Sequence, residues 1–233
     1  MRFDGTIFDI EGTLIDCVPQ NLNSWRETLS SFGLTVPLEV LQPYSGMDGD
    51  DMLQILAPDM DKKLRRRVLE AEGKNFEAKY LTSVRAFAGI RPLFEAIKRE
   101  GGKIALATDC KDPELKHYRA VLGVDDLIDV IACGEDVVEG KPSPKLVCLA
   151  AERLGIDPAR AVMTGDTPYD AEAARGAGVS ALGLLTGGFS RKTLKDAGCF
   201  AAIKEVGDMR GILATSEGDP RGGETPSLTP KSS

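Results

Sequence analysis

The chain has 233 residues, enough for a core domain with a smaller second domain, and its 42% hydrophobic and 28% charged residues are typical of a soluble globular protein. Its formal net charge of −7 disfavours broad electrostatic binding to nucleic acid or to an anionic membrane surface. Five cysteines without a C-x-x-C pair, and no readable targeting peptide or membrane span, predict a cytoplasmic protein with reduced thiols.

An apolar run over residues 3–10 predicts a buried strand near the N-terminus. Two carboxylates, Asp9 and Glu11, come at its end, and Gly12 and Thr13 then break the pattern. Residues two apart on a strand point to the same side, so both carboxylates can face one small space. Their charges repel there unless a cation or a proton intervenes. We interpret them as the nucleophile and the acid/base group of a phosphoryl-transfer site.

The segment from about residue 18 to residue 85 changes to helical periodicity. Three helices are predicted here: one over residues 22–32 that ends at Gly33, one that begins after residues 46–49 and ends at Pro58, and one from Leu64 to Tyr80. No strand pattern interrupts this block. The sequence therefore predicts an all-α insertion between the first strand and the rest of the chain.

After this block, strands and helices alternate. Strands are predicted over residues 103–107, 127–132, 161–163 and 179–185, helices begin near Pro92, Pro113, Pro144 and Pro168, and two further helices surround residues 200–203. Such alternation is typical of the α/β class. We predict a doubly wound, mostly parallel, Rossmann-like sheet with an inserted all-α cap domain.

The predicted domain organisation follows from these patterns. Residues 1–16 and 86–214 form the α/β core domain, and residues 17–85 form the cap. Residues 215–233 are rich in Ser, Gly, Pro and Thr and nearly free of large apolar side chains. Such a segment buries too little surface to offset its ordering entropy, so we predict a disordered tail.

Several strands end in polar residues suited to phosphate and metal binding. Thr108 follows one strand, Asp166 and Asp170 follow another, and Lys141 lies just before a helix. Ligands of open α/β sheets bind beyond the carboxyl ends of the strands, where Asp9 also lies. Carboxylates suit a hard divalent cation, and a hydroxyl and an ammonium group suit phosphate oxygens. The sequence therefore predicts a site that binds both.

Four motifs in order give the chain a family resemblance: DIEGTL at residues 9–14, Thr108 after an apolar strand, GKPSP at residues 140–144, and GDTPYD at residues 165–170. With them, residues 3–213 resemble the haloacid dehalogenase superfamily. The matching branch is the phosphoglycolate-phosphatase-like one, whose helical cap is inserted after the first motif.

The resemblance implies a nucleophile and a metal site. Asp9 would attack phosphorus and form an aspartyl-phosphate, which divides one difficult displacement into two easier ones. Asp9, the backbone carbonyl of Glu11, and Asp166 would hold Mg²⁺, with Asp170 nearby either as a further ligand or as an anchor of the site. The ion would offset repulsion between the anionic nucleophile and the anionic substrate.

The resemblance also implies roles for other residues. Thr108 and Lys141 would bind the phosphoryl oxygens, and Glu11 would protonate the leaving oxygen and later activate water. Most family members carry Asp at position 11, although the enolase-phosphatase branch carries the same D-x-E-G-T. The phosphonatase and dehalogenase branches carry other residues here, so those reactions are disfavoured.

Two further features concern the surroundings of the site. Gly46 and Asp48 in the cap resemble a segment that faces the active site in related phosphatases, and the sequence favours substrate contact and plain helix capping equally. Asp109 would oppose phosphate, so we interpret it as a turn residue that points away from the site. Trp25, at helical spacing, is expected in the core of the cap.

These observations favour a cytoplasmic, Mg²⁺-dependent phosphatase that acts on a small phosphorylated metabolite and binds neither nucleic acid nor membrane. One alternative is a phosphosugar mutase, but residues 21–26 lack the histidine that mutases of this superfamily carry. The other is a weakly active or inert binding module that keeps the fold. Glu11 is the one feature in its favour.

Overall fold

The structure, a computed structural model, describes residues 3–209. The predicted disordered tail, residues 215–233, lies outside the described residues. The elements in chain order are β1 (Gly5–Phe8), β2 (Ile15–Asp16), α1 (Val18–Ser31), α2 (Leu38–Leu41), α3 (Gly49–Leu56), α4 (Lys62–Lys79), β3 (Arg85–Ala86), α5 (Ile90–Arg99), β4 (Lys103–Ala107), α6 (Glu114–Leu122), β5 (Val130–Ala132), α7 (Lys145–Leu154), β6 (Ala161–Gly165), α8 (Pro168–Gly176), β7 (Ser180–Leu184), α9 (Arg191–Ala197) and β8 (Cys199–Ile203).

In the part of the chain that the structure describes, the main sheet has six strands in the order β5-β4-β1-β6-β7-β8, and every neighbouring pair is parallel. The chain runs outward from β1 in one direction through β4 and β5, and in the other through β6, β7 and β8. Strand order therefore reverses beside β1, and this is where ligands of open α/β sheets bind. The prediction of a doubly wound α/β fold is confirmed.

Successive side chains of β1 point to opposite faces of the sheet, and Ile7 and Phe8 each pack in the hydrophobic core on their own face. Phe8 belongs to the core that includes Phe94 of α5, and the two rings lie 4.9 Å apart between centroids. Ile7 belongs to the opposite core, which includes Leu146 of α7 and Ala171 of α8. All four residues of β1 are buried, as expected of a strand covered by helices on both faces.

The insertion after β1 has a hydrophobic core of its own. Leu22 and Leu29 of α1 pack there with Leu53 of α3 and Val68 of α4. Three of the helices were predicted, and α2 is a further short one. The insertion is helical, as predicted.

A small antiparallel ribbon stands where the chain enters and leaves the insertion. Ile15 of β2 pairs with Ala86 of β3, and Asp16 pairs with Arg85. The sequence did not predict it, because two-residue strands are too short for a periodic pattern. The ribbon supports residues 17–85 as the proposed bounds of a cap domain.

The C-terminal part of the described chain differs in one respect from the prediction. Cys199–Ile203 is the edge strand β8, where the sequence predicted only a segment between two helices. The first of those helices is α9, and a 3-10 turn at Val206–Asp208 follows β8. The rest of the segment predicted as the second helix lies outside the described residues. Within residues 3–209, no helix has the length and apolarity needed to cross a membrane.

Candidate active site

Predicted site residues follow three neighbouring strands and therefore lie at one edge of the sheet. Asp9 follows β1, Thr108 follows β4, and Asp166 follows β6. The backbone N–H of Asp9 donates to the carbonyl of Thr164 at 3.0 Å, which continues the contact between β1 and β6 beyond the strand end. The geometry of a parallel sheet thus brings together residues that are far apart in the chain.

Three aspartates form a buried cluster at this edge. Asp9, Asp166 and Asp170 are each at most 4% exposed, and each offers a carboxylate oxygen within 4.8 Å of the other two. Burial raises the pKa of Asp9 to about 8, and burial with the neighbouring Asp170 and Asp9 raises that of Asp166. A cation would relieve the cost of charging these groups.

The site has room for the Asp166 carboxylate because glycines stand against it. A Cβ at Gly12 would lie 2.1 Å from Asp166 Oδ2, and a Cβ at Gly187 would lie 2.4 Å from the same oxygen. Gly12 also has a φ of +74°, which favours glycine. The hydroxyl of Thr13 donates to Asp166 Oδ1 at 3.0 Å. Carboxylate oxygens held in this way fit a Mg²⁺ site.

Lys141 is the cation at the centre of this cluster. Its Nζ donates to Asp9 Oδ1 at 2.5 Å and to Asp170 Oδ1 at 2.8 Å, and the side chain is nearly fully buried. Burial disfavours its charge, but Asp170 and Asp9 outweigh this effect and raise the pKa of Lys141. The ammonium group therefore stays protonated and neutralises part of the carboxylate charge.

The contacts of Asp170 favour one of the two roles that the sequence left open. Its Oδ1 accepts from Lys141, and its Oδ2 accepts from the Thr167 hydroxyl at 2.7 Å and the Thr167 backbone N–H at 3.0 Å. With Thr167, it forms a capping box at the start of α8. Both oxygens are thus engaged, and Asp170 holds Lys141 beside Asp9; whether it also binds the metal stays a prediction.

Asp109 does not point away from the site, so that interpretation was wrong. It lines the cavity, and its Oδ2 lies 3.6 Å from Lys141 Nζ. Its Oδ1 accepts the backbone N–H of Lys141 at 3.1 Å, and a Cβ at Gly140 would lie 2.4 Å from that oxygen. Attraction to Lys141, together with the need of a buried N–H for an acceptor, turns the side chain inward.

Glu11 lies half-buried on the wall of the cavity, with a partner that the sequence did not reveal. Its Oε1 accepts from the hydroxyl of Tyr118 on α6 at 2.9 Å. Tyr118 is fully buried, and burial raises the pKa of Glu11 despite this hydrogen bond. In the sequence, Tyr118 has only the helical spacing of a core residue. The partner of its hydroxyl is set by tertiary packing.

Thr108 is fully buried beside the cavity, and its hydroxyl is engaged in the turn that follows β4. Oγ1 lies 3.1 Å from the sulfur of Cys110 and accepts the Cys110 backbone N–H at 3.3 Å. Cys110 itself lines the cavity. The contact of Thr108 with a phosphoryl oxygen therefore stays a prediction.

A cavity of about 270 Å³ separates the sheet edge from the helical insertion. Its core side is lined by Asp9, Glu11, Asp109, Cys110, Lys141, Thr167 and Asp170, and its insertion side by Asn21, Leu22, Trp25, Leu41, residues 44–49, Met52 and Glu72. Trp25 both packs on the core of the insertion, as predicted, and faces the cavity. Glu72 was not singled out from the sequence, because an acidic residue within a charged helix carries no distinguishing pattern.

Gly46 and Asp48 both lie at the mouth of this cavity. Gly46 has a φ of +80°, and a Cβ there would lie 2.6 Å from Thr167 Cγ2 on the core side. Asp48 caps α3 by accepting the backbone N–H groups of Asp50 at 2.8 Å and Asp51 at 3.3 Å. Helix capping thus accounts for Asp48, and its contact with substrate stays a prediction.

Hydrogen bonds also connect the insertion to the core around this mouth. The side-chain amide of Gln42 donates to the carbonyl of Gly187 at 2.7 Å, and the hydroxyl of Tyr169 donates to the carbonyl of Pro43 at 2.9 Å. These contacts join the turn after α2 to the first turn of α8 and to the turn that follows β7. They hold the insertion over the buried carboxylates.

Comparison with known proteins agrees with this fold and this arrangement. A family model described as haloacid dehalogenase-like hydrolase matches residues 6–184. The chain belongs to this family, and the resemblance predicted from its four motifs is confirmed, including the helical cap after the first strand.

Two relatives and one solved structure show the extent of the similarity. The phosphorylated carbohydrates phosphatase of Thermotoga maritima is 28% identical over 207 residues, which cover 86% of this chain and 94% of the relative. The phosphoglycolate phosphatase of Neisseria meningitidis serogroup A is 32% identical over 187 residues, covering 77% and 79%. A hydrolase from Pseudomonas syringae superposes with a TM-score of 0.84 at 28% identity, covering 90% and 97%.

Proposed function

We propose that the protein is a Mg²⁺-dependent phosphatase that hydrolyses a small phosphorylated metabolite through an aspartyl-phosphate on Asp9. The observation that carries the proposal is the position of Asp9. Its buried carboxylate lines the cavity between the sheet edge and the helical insertion, 2.5 Å from the Lys141 ammonium and within a cluster of aspartates. The phosphatase names of the relatives support the substrate class.

The proposed reaction uses the carboxylates in two steps. An Asp9 carboxylate oxygen attacks phosphorus, the bond from phosphorus to the leaving oxygen breaks, and Glu11 gives its proton to that oxygen. Water then loses a proton to Glu11 and attacks the phosphorus of the aspartyl-phosphate, which releases phosphate and restores Asp9. The raised pKa of Glu11 suits a group that must carry a proton in the first step.

The proposed binding residues surround this reaction centre. Asp9, Asp166 and the backbone carbonyl of Glu11 would hold Mg²⁺, which supplies positive charge to offset repulsion between nucleophile and substrate. Asp170 keeps Lys141 in place beside Asp9. Lys141 and Thr108 would bind the phosphoryl oxygens, with Lys141 stabilising charge in the transition state. Gly46 and Asp48 would contact the leaving group at the mouth.

The cap, proposed as residues 17–85, would close over the substrate and exclude water from the leaving group. The contacts of Gln42 with Gly187 and of Tyr169 with Pro43 support a closed position. A mutase has less support. Among the residues that the structure describes, no histidine lines the cavity.

The test is hydrolysis of an aryl phosphate, such as para-nitrophenyl phosphate, by purified protein with and without Mg²⁺. We expect Mg²⁺-dependent turnover that Asp9→Asn abolishes, because the amide is not a nucleophile. If the wild-type protein is no faster than Asp9→Asn, the proposed function is wrong.

A further inference from the structure

The cavity is lined by more acidic than basic side chains, and this limits the charge that the leaving group can carry. Among the described residues, Lys141 is the one cationic side chain on its wall, and it is already paired with Asp9 and Asp170. Besides Asp9 and Asp170, the wall carries the carboxyl groups of Glu11, Asp48, Glu72 and Asp109, of which only Asp109 lies near Lys141, at 3.6 Å. A substrate with a second anionic group would meet repulsion with no counter-charge.

Glu72 of α4 is the carboxyl group at the cap end of the cavity. It is half-buried and faces the same cavity as Asn21 and Trp25 of α1. Its Oε1 is buried and makes no hydrogen bond within the described structure. Burial raises the pKa of Glu72 to about 7, and a hydrogen bond from Ser24 opposes the shift. A buried acceptor of this kind is stabilised by a donor that enters the cavity.

Two other residues that line the insertion side of the cavity, Asn21 and Trp25, suit a hydroxylated group. The amide of Asn21 can both donate and accept hydrogen bonds, so it can pair with alcohols in either sense. Trp25 offers an apolar surface with one N–H donor, which suits the C–H face of a sugar or polyol. A carboxylate fits this end poorly, because the ionised form of Glu72 repels it.

We propose that Glu72 is a specificity-determining residue that accepts hydrogen bonds from the hydroxyl groups of an uncharged, polyhydroxylated leaving group. The substrate is then a sugar or polyol phosphate, and a phosphorylated carboxylic acid such as phosphoglycolate is rejected. The inference rests on the proposed phosphatase function and selects between the two substrate types named for the relatives.

The experiment measures kcat/KM for glucose 6-phosphate, fructose 1-phosphate and phosphoglycolate, with para-nitrophenyl phosphate as a general phosphatase substrate. We expect the wild-type protein to prefer at least one hexose phosphate to phosphoglycolate by about tenfold or more. Glu72→Gln is nearly isosteric and removes the charge. It should lower this preference ratio about tenfold, because it weakens a charge-assisted hydrogen bond and relieves repulsion of phosphoglycolate.

The matched control is Glu77→Gln, on the exposed side of the same helix, which should leave the ratio unchanged. Thermal unfolding of both variants checks that the cap is intact. If the wild-type protein prefers phosphoglycolate, or if Glu72→Gln leaves the ratio unchanged, the inference is overturned. In either case, Mg²⁺-dependent hydrolysis of para-nitrophenyl phosphate would still support the proposed phosphatase function. Absence of hydrolysis of all four substrates would overturn both.

Discussion

At the scale of single residues, Asp9 and Glu11 have different surroundings although both follow β1. Asp9 is nearly fully buried and paired with Lys141, whereas Glu11 is half-buried and accepts the hydroxyl of Tyr118. The extra methylene of Glu11, compared with the aspartate of most family members, is thus accommodated by a specific partner. The alternative of an inert binding module, for which Glu11 was the one supporting feature, is tested by substitution of Glu11.

Glu11→Asp is expected to lower kcat about tenfold or more, within the range that general acid–base groups contribute. The shorter side chain moves the carboxyl group away from the Tyr118 hydroxyl and leaves that buried donor unpaired. Steady-state kinetics of the aryl phosphate measure the effect. Tyr118→Phe added to Glu11→Asp should cost little more, because the two residues act as a pair. A gain in turnover for Glu11→Asp would instead identify an attenuated enzyme.

At the scale of elements, the turn after β1 packs closely against Asp166, which follows β6, and Gly12 makes this close approach possible. Its positive φ and its contact with Asp166 both require the absence of a side chain. Gly33, at the end of α1, has a similar φ of +82° but nothing within 4 Å of a Cβ. Substitutions at Gly12 and Gly33 therefore distinguish the effect of backbone strain from the effect of displacing Asp166.

Gly33→Ala is expected to cost about 1–3 kcal/mol of unfolding free energy, the usual strain of a left-handed non-glycine residue, and to keep activity. Gly12→Ala should carry the same strain and also displace the Asp166 carboxylate, so we expect it to lose Mg²⁺-dependent hydrolysis as well. Urea denaturation and the aryl phosphate assay measure the two effects. Full activity of Gly12→Ala would show that Asp166 does not need its present position.

The elements themselves were largely predictable from the sequence. The apolar run of residues 103–107 and the Pro-initiated helices carry strong local patterns, and the structure has elements at those places. The ribbon of β2 and β3 could not be predicted, because its pairing joins residues far apart in the chain. The same reason hid the surroundings of Asp109, Tyr118 and Glu72. Asp109 meets Lys141 and Tyr118 meets Glu11 only after the chain has folded, because these partners are far apart in the sequence.

At the scale of the whole molecule, the buried carboxylates make the stability of the fold depend on pH and on cations. Burial raises the pKa of Asp9 from 3.8 to about 8, so ionisation opposes folding. The folded state then binds more protons than the unfolded chain between those values, and the free energy of unfolding falls as pH rises through them. Metal-free protein should therefore lose stability from about pH 4 towards pH 8.

Mg²⁺ is expected to reverse this loss by binding the native carboxylates. At a concentration one hundred times Kd, it should add about 2.7 kcal/mol to the free energy of unfolding. Urea denaturation at several pH values, with and without Mg²⁺, measures the effect. Asp166→Asn should abolish the response to Mg²⁺, whereas Asp136→Asn, which removes a partly exposed surface ion pair with Arg153, should keep it. A full Mg²⁺ response in Asp166→Asn would contradict the proposed metal site.

The most direct test of the central proposal is to look for phosphate on Asp9 during turnover. The protein is mixed with para-nitrophenyl phosphate and Mg²⁺, quenched in acid within milliseconds and digested, and the peptides are analysed by mass spectrometry. We predict an acyl phosphate, sensitive to hydroxylamine, on the peptide that contains Asp9, and none in Asp9→Asn. Turnover without a phosphorylated peptide, or a phosphate located on another residue, would contradict the account.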